Sequence, residues 1–320
     1  MTDRNLTVRV SRIERLTPEV AAYELVHPAG RPLPGYTAGA HIDIHLPGGF
    51  TRTYSLAQAP DGASPSRYRI GVKREPQGRG GSAALHDRVA QGDLLAIGSP
   101  RNTFPLAAQA RHHLLLAGGI GLTPLLAMAQ QLDRDGGDFT LCVYARSRAH
   151  LAFAPELAAL GERVRLHFDD PQASEKIDLR ALLGPPAPRP GAHLYLCGPA
   201  GFMQASLDAA AHWPQGFVHL EYFAPPQTSV DVEDRPFVLR LAGRGIEVSV
   251  AAEQSAVDAL HDLGIEVPTS CAQGVCGTCV VRWTGGDPEH RDHCLSATER
   301  RSRVALCCAR AKSGLLEIAL

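Results

Sequence analysis

The side chains with the most specific chemistry are cysteines near the C-terminal end. Cys271-Ala-Gln-Gly-Val-Cys276-Gly-Thr-Cys279 sets three thiols at a C-x4-C-x2-C spacing, and Cys294, Cys307 and Cys308 follow. Six of the eight cysteines thus fall in the last 50 residues, crowding that in a reducing compartment favours a metal site over disulfides. Two irons need four soft thiolates, and this spacing with a distant fourth cysteine is that of [2Fe–2S] ligation. Gly274 and Gly277 let the backbone curl closely and aim N–H groups at the cluster sulfurs. A zinc site usually pairs two C-x2-C knuckles or adds histidines; here there is one C-x2-C, one C-x4-C and a distant single ligand. If the segment holding Cys307 and Cys308 is extended, their side chains point to opposite faces and only one can meet the cluster.

A second set of residues suits a flavin. RTYSL, Arg52 to Leu56, precedes VKREPQGRGGSAALHD, Val72 to Asp87. A flavin needs charge for its phosphate, a flat packing face for its ring and a donor near N5. Arg52, Tyr54 and Ser55 supply one each. Gly80, Gly81 and Ser82 lead into a helical pattern, whose free N–H groups take an anion. In LLLAGGIGLTPLLAM, Gly118, Gly119 and Gly121 stand between a strand and a helix and admit a pyrophosphate close to the backbone. The spacing is not G-x-G-x-x-G. Thr123 and Pro124 fit the N-cap and N1 positions of that helix. Ser147 and Arg148 follow the next strand, where an acid would select the free 2′-hydroxyl of NAD; their types leave NADH and NADPH both open. Cys197 taken alone is a small core residue. Tyr222 and Phe223 lie against the flavin ring or serve as core aromatics.

These side chains need elements to carry them. Residues 1–107 hold short alternating segments, HIDIHL, RTYSLA and RYRIGVKR, separated by Gly/Pro turns, which predicts an antiparallel β-barrel. Residues 108–226 alternate strand and helix, the pattern of a doubly wound parallel sheet. Residues 227–236 have linker composition. Residues 237–320 open with a hairpin pattern and close on a strand. A composition of 44% hydrophobic and 20% charged residues with net charge −1 is globular, and argues against bulk nucleic-acid or membrane-surface binding. The first residues lack an apolar signal core, and no run of ~18 apolar residues occurs, so a cytoplasmic protein is expected. The fourteen histidines read as surface and packing residues.

In motif and order, RTYSL, VKRE, GRGGS, GGIGLTP, CGPAGFM and the cysteine loop resemble the phthalate dioxygenase reductase family, within the ferredoxin-NADP reductase superfamily. The resemblance covers nearly the whole chain. It implies FMN rather than FAD, contacted by Arg52, Tyr54, Ser55, Val72 and Lys73, by Gly80, Gly81 and Ser82, and at the ring by Phe223. It implies NADH, with NADPH possible, at Gly119, Thr123, Ser147, Arg148 and Cys197. Ser55, Thr123 and Cys197 would stand at the reacting atoms, Cys197 packing there rather than acting as a nucleophile. It implies a β-grasp domain of plant-type ferredoxin kind, with Cys271, Cys276, Cys279 and Cys307 on the iron and Cys308 at a usually apolar position. The implied partner is the terminal component of a Rieske oxygenase that hydroxylates aromatic rings or removes O-methyl groups. Other readings are a stand-alone diaphorase or a ferredoxin or quinone reductase, and an iron–sulfur redox sensor, against which the intact nucleotide and flavin motifs argue.

Overall fold

The computed structural model describes residues 5–184, 189–214, 216–224 and 234–320. The chain divides into two compact units, Met1–Glu221 and Tyr222–Leu320. Most of the expected linker, residues 227–233, lies outside the described residues.

The first unit opens with β1 (Leu6–Arg15), β2 (Val20–Val26), β3 (His41–Leu46), β4 (Phe50–Ser55), β5 (Arg67–Lys73), helix α1 (Gly81–Arg88) and β6 (Leu94–Ile97). The strands form one antiparallel sheet in the order β4-β3-β6-β1-β2-β5. A bridge between Leu56 and Ile70 ties the two ends together and nearly closes a barrel. Tyr23, Ile42, Ile44, Leu56, Ile70 and Ile97 fill it, each aliphatic side chain contributing about 1.5–3 kcal/mol. The alternation of His41–Leu46 is only half obeyed, because Asp43 is buried as well. Its carboxylate accepts from Thr53 at 2.8 Å and pairs with Arg101 at 2.5 Å, partners that a buried charge requires.

The same unit continues through β7 (His112–Gly118), α2 (Leu122–Asp135), β8 (Phe139–Ala145), α3 (Ala154–Ala159), β9 (Val164–Phe168), α4 (Leu179–Leu183), β10 (Ala192–Cys197), α5 (Ala200–Ala209) and β11 (Val218–Glu221). Its five strands are parallel in the order β11-β10-β7-β8-β9. The chain winds outward from β7 in one direction and resumes at β10 in the other, so a ligand crevice opens at the carboxyl ends of β7 and β10. Barrel and parallel sheet share one core, in which Val20, Ala22 and Phe104 meet Leu125, Met128 and Phe153. Gly71 of β5 sits where a Cβ would lie 2.8 Å from the Phe153 ring and 2.9 Å from Thr123.

The second unit comprises β12 (Phe237–Leu241), β13 (Ile246–Val250), α6 (Ala256–Asp262), β14 (Val280–Glu289), β15 (Arg303–Ala305) and β16 (Arg310–Ala319). The order β13-β12-β16-β14-β15, with β12 and β16 parallel and the other pairs antiparallel, is that of a β-grasp. Ser255 and Asp258 form a capping box that starts α6. Among the described residues no helix is long and apolar enough to cross a membrane.

Candidate functional site

Three clusters of side chains emerge. The first sits at the start of α1. Gly80, in the left-handed region at φ 78°, is its N-cap, and Gly81 is so close to Arg52 that a Cβ would lie 2.4 Å from the arginine side chain. Arg52 is anchored by donating to the carbonyls of Thr51 at 2.8 Å and Arg79 at 2.6 Å. Desolvation and the neighbouring Arg79 both push the Arg52 pKa down. Two guanidiniums beside an uncapped helix N-terminus favour an anion, and this chemistry fits a flavin phosphate. Ser82 Oγ accepts from the Glu75 N–H at 3.1 Å, folding the glycine loop back onto β5. Val72 is buried and its carbonyl meets His86 Nε2 at 2.9 Å. Lys73 pairs with Glu75 at 3.2 Å. Tyr54, on β4 near Arg52, is half-buried, and desolvation raises its pKa.

The second cluster lies at the carboxyl ends of β10 and β11. Ser55, at the end of β4, is buried and donates its hydroxyl to Glu221 Oε2 at 3.1 Å. Glu221 pairs in register with Cys197 across the two parallel strands. Burial pushes the Glu221 pKa up to about 8, partly opposed by the Ser55 hydrogen bond, and raises the Cys197 thiol well above its usual value. An acid, a hydroxyl and an unionised thiol thus meet where barrel and parallel sheet join. Glu221 was not singled out in the sequence, where HLEYFAP offers only one acid among aromatics. Its signal was position: the last residue of a strand ending at the crevice.

Among the nucleotide residues, the cap of α2 differs from expectation. Thr123 is not the N-cap of α2; Gly121 is, and Leu122, Thr123 and Pro124 occupy its first turn. A 3₁₀ turn at Gly119–Gly121 starts the winding earlier, and Thr123 Oγ1 donates back to the Ile120 carbonyl at 3.1 Å. Gly121 lets this end reach β10: a Cβ there would lie 2.3 Å from the Cys197 carbonyl oxygen. Gly119 adopts φ 54° with open space around it. Ser147 Oγ meets His150 Nδ1 at 2.8 Å, and Arg148 pairs with Glu175 while lying over the Phe168 ring. Phe223 is 43% exposed and Tyr222 packs against His293; both belong to the second unit.

The third cluster is the cysteine loop. Ala272, Gly274 and Gly277 all take positive φ, which turns peptide N–H groups toward sulfur. The Gln273 N–H donates to Cys271 Sγ at 3.3 Å and the Gly274 N–H to Cys307 Sγ at 3.1 Å. The sulfurs of Cys271 and Cys276, and that of Cys307 with those of Cys279 and Cys271, are near enough to perturb one another. The four sulfurs with inward N–H donors fit a two-iron cluster. Three or more His, Cys, Asp or Glu converge on a single ion position nowhere among the described residues, and a two-iron cluster asks only two thiolates per iron. The segment carrying Cys307 and Cys308 is a turn rather than a strand, so the condition under which the two side chains would face opposite ways is not met. Cys307 is the more buried, packed with Cys279 and Ala305.

Comparison with known proteins agrees with this geometry. Residues 239–312 match the 2Fe-2S iron-sulfur cluster binding domain family. The chain is 43% identical to the tert-butanol monooxygenase / tert-amyl alcohol desaturase reductase subunit of Aquincola tertiaricarbonis, across 98% of this chain and 96% of that one. It is 41% identical to a vanillate O-demethylase oxidoreductase of Pseudomonas sp. (strain HR199 / DSM 7063), across 98% of this chain and all of that one. The solved structure of phthalate dioxygenase reductase, described as modular for electron transfer from pyridine nucleotides to [2Fe–2S], superimposes with a TM-score of 0.72 at 35% identity, covering 99% of this chain and 98% of that one. The chain therefore belongs to the phthalate dioxygenase reductase family and is a pyridine-nucleotide-dependent oxidoreductase, carrying FMN and a [2Fe–2S] cluster, that serves as the reductase component of an oxygenase system.

Proposed function

We propose that this chain is the NADH-dependent reductase of a Rieske-type oxygenase system in the cytoplasm, delivering electrons to a terminal component that acts on an aromatic or methoxylated substrate. When bound, FMN and the cluster supply the conversion of a two-electron hydride into single electrons. Arg52 and the first N–H groups of α1 hold the flavin phosphate, with Gly80, Gly81 and Ser82 allowing close approach. Tyr54 offers a ring face, and Val72 and Lys73 border the same loop. Gly119, Gly121 and the start of α2 receive the nicotinamide pyrophosphate, and Thr123 fixes that turn. Cys271, Cys276, Cys279 and Cys307 hold the irons.

The observation that carries the reading is the meeting of Ser55 with Glu221 beside Cys197. With its pKa raised to about 8, Glu221 holds most of its proton at neutral pH and orients the Ser55 hydroxyl, while the buried Cys197 lies beside it. Positioning of the two rings is then the chief catalytic contribution of this chain.

The choice of NADH rests on the arginines near the ribose position. Arg148 is tied to Glu175, and Arg146 pairs with Glu19 at 2.5 Å. A 2′-phosphate would have to break an ion pair and lie close to a carboxylate. None of the eight cysteines forms a disulfide, which suits a reducing compartment. The test is turnover of candidate terminal oxygenases reconstituted with this chain, with either nucleotide. Substrate oxidation with a kcat/KM favouring NADH by at least tenfold, about 1.4 kcal/mol, is expected. Reduction of free ferredoxins or quinones without support of any oxygenase would contradict the reading, and a tenfold NADPH preference would contradict the nucleotide choice.

A further inference from the structure

We propose that the Cys308 thiol donates a hydrogen bond to the sulfur of Cys307 and thereby raises the reduction potential of the cluster that Cys307 helps to hold. The inference rests on the ligand reading above. Between β15 and β16 the chain makes a tight turn, closed by the N–H groups of Cys308 and Ala309, which donate to the Ala305 carbonyl at 3.3 and 3.0 Å. A turn, unlike a strand, lets successive side chains reach one side. Cys307 Sγ accepts the Gly274 N–H at 3.1 Å. Cys308 Sγ packs on the α-carbon of the same glycine, so that a Cβ there would lie 2.6 Å from the sulfur. Both sulfurs, on neighbouring residues of one turn, therefore border one residue of the cluster loop. The other acceptor open to Cys308 is the Ala305 carbonyl, at 3.7 Å and already shared by those two N–H donors. A metal-bound thiolate is a stronger acceptor than such a carbonyl, so with iron held at Cys307 the Cys308 hydrogen would be drawn to that sulfur.

The consequence is electrostatic. Reduction adds negative charge that spreads onto the ligand sulfurs, and a donor aimed at one of them stabilises the reduced form more than the oxidised form. Cys308 is thus a positioning residue for the electron, not a ligand. Cys294, the remaining thiol nearby, instead directs its sulfur at Asp292, 4.0 Å away.

The test compares holoprotein variants by anaerobic redox titration with the EPR signal of the reduced cluster. Cys308→Val keeps the bulk and removes the donor; Cys308→Ser restores a donor. The Val variant is expected to titrate at a more negative potential than the parent, and the Ser variant to return to the parent potential or above it. In resonance Raman spectra, the Fe–S(Cys) frequencies of the parent and the Ser variant should move more in D₂O than those of the Val variant. An unchanged potential in the Val variant with full cluster absorbance overturns the proposal, as does a Ser variant that stays with Val. If the Val variant does not assemble its cluster, Cys308→Ala against Cys308→Ser gives the same comparison, and equal potentials overturn it. Loss of the cluster in every Cys308 variant also overturns it, because a hydrogen-bond donor is dispensable for ligation. Cluster lost on Cys308→Ala yet kept on Cys307→Ala would overturn the ligand reading itself, a result distinguishable from the others.

Discussion

At the scale of single residues, Ser55 and Glu221 show what burial does to ordinary side chains. Ser55 stood out in RTYSL because a glycine loop and nucleotide motifs follow that short strand pattern. Glu221 did not, because its importance comes from the fold bringing the end of β11 against the end of β4. Its raised pKa gives a signed prediction. The unfolded chain releases this proton near the usual carboxylate value, about 4.3, and the folded chain near about 8. Between these values the folded state binds the extra proton, so this group's contribution to stability falls as pH rises from about 4.3 to 8. Glu221→Gln should flatten that decline in a plot of Tm against pH, and an unchanged slope would count against the buried-acid assignment. Ser55→Ala should slow flavin reduction by NADH about 10- to 100-fold, the cost of a lost hydrogen bond to a charged or reacting partner of about 1.5–3 kcal/mol. Stopped-flow bleaching of the flavin measures it, and a loss smaller than twofold would remove Ser55 from the reacting atoms.

At the scale of elements, the glycines were legible and their reasons were not. Gly80–Ser82 and Gly118–Gly121 marked two helix starts, but the sequence placed the cap of α2 at Thr123 because Thr is a good cap residue. The 3₁₀ turn that displaced it brings Gly121 against the Cys197 carbonyl, a contact between segments far apart in sequence. Gly81→Ala should push Arg52 from its place and weaken FMN binding while leaving the cluster absorbance intact. Retention of FMN at the parental Kd would show that the start of α1 is not the phosphate site. The histidines, read as packing residues, do pack. His193 Nδ1 meets His219 Nε2 at 2.8 Å, and His113, Tyr195, His219, His193 and Phe217 stack through β7, β10 and β11 and the residue before β11. Desolvation, aided by the other two rings, depresses His219 to about 4, and desolvation lowers His113 and His193 as well. Charged neighbours are few; His112 beside the column pairs with Asp138 at 3.1 Å. A depressed histidine stabilises fully above its unfolded pKa, about 6.5, and that stability is lost as pH falls toward about 4. His219→Gln keeps a hydrogen-bond partner for His193 without a titrating ring and should move the acid midpoint of unfolding to lower pH. An unchanged midpoint would show that the column does not set acid stability.

At the scale of the whole molecule, three classes of layer were readable from periodicity: short alternating strands, strand–helix alternation and a terminal hairpin-and-strand block. What periodicity could not convey is that barrel and parallel sheet share one core through Val20, Phe104, Met128 and Phe153, since that depends on which faces meet. The shared core makes the flavin and nucleotide halves one unit, with the cluster domain as the second. That division matches the chemistry: hydride transfer needs two rings held rigidly, whereas single-electron transfer tolerates a separate carrier. The order of electron flow is the central claim, and anaerobic mixing of the holoprotein with NADH tests it most directly, following flavin absorbance and cluster EPR in the parent, in Cys307→Ala and in protein stripped of FMN. The account predicts flavin bleaching followed by the cluster signal in the parent, bleaching alone in Cys307→Ala, and no cluster reduction without FMN. Reduction of the cluster by NADH in the FMN-stripped protein at the parental rate would contradict it.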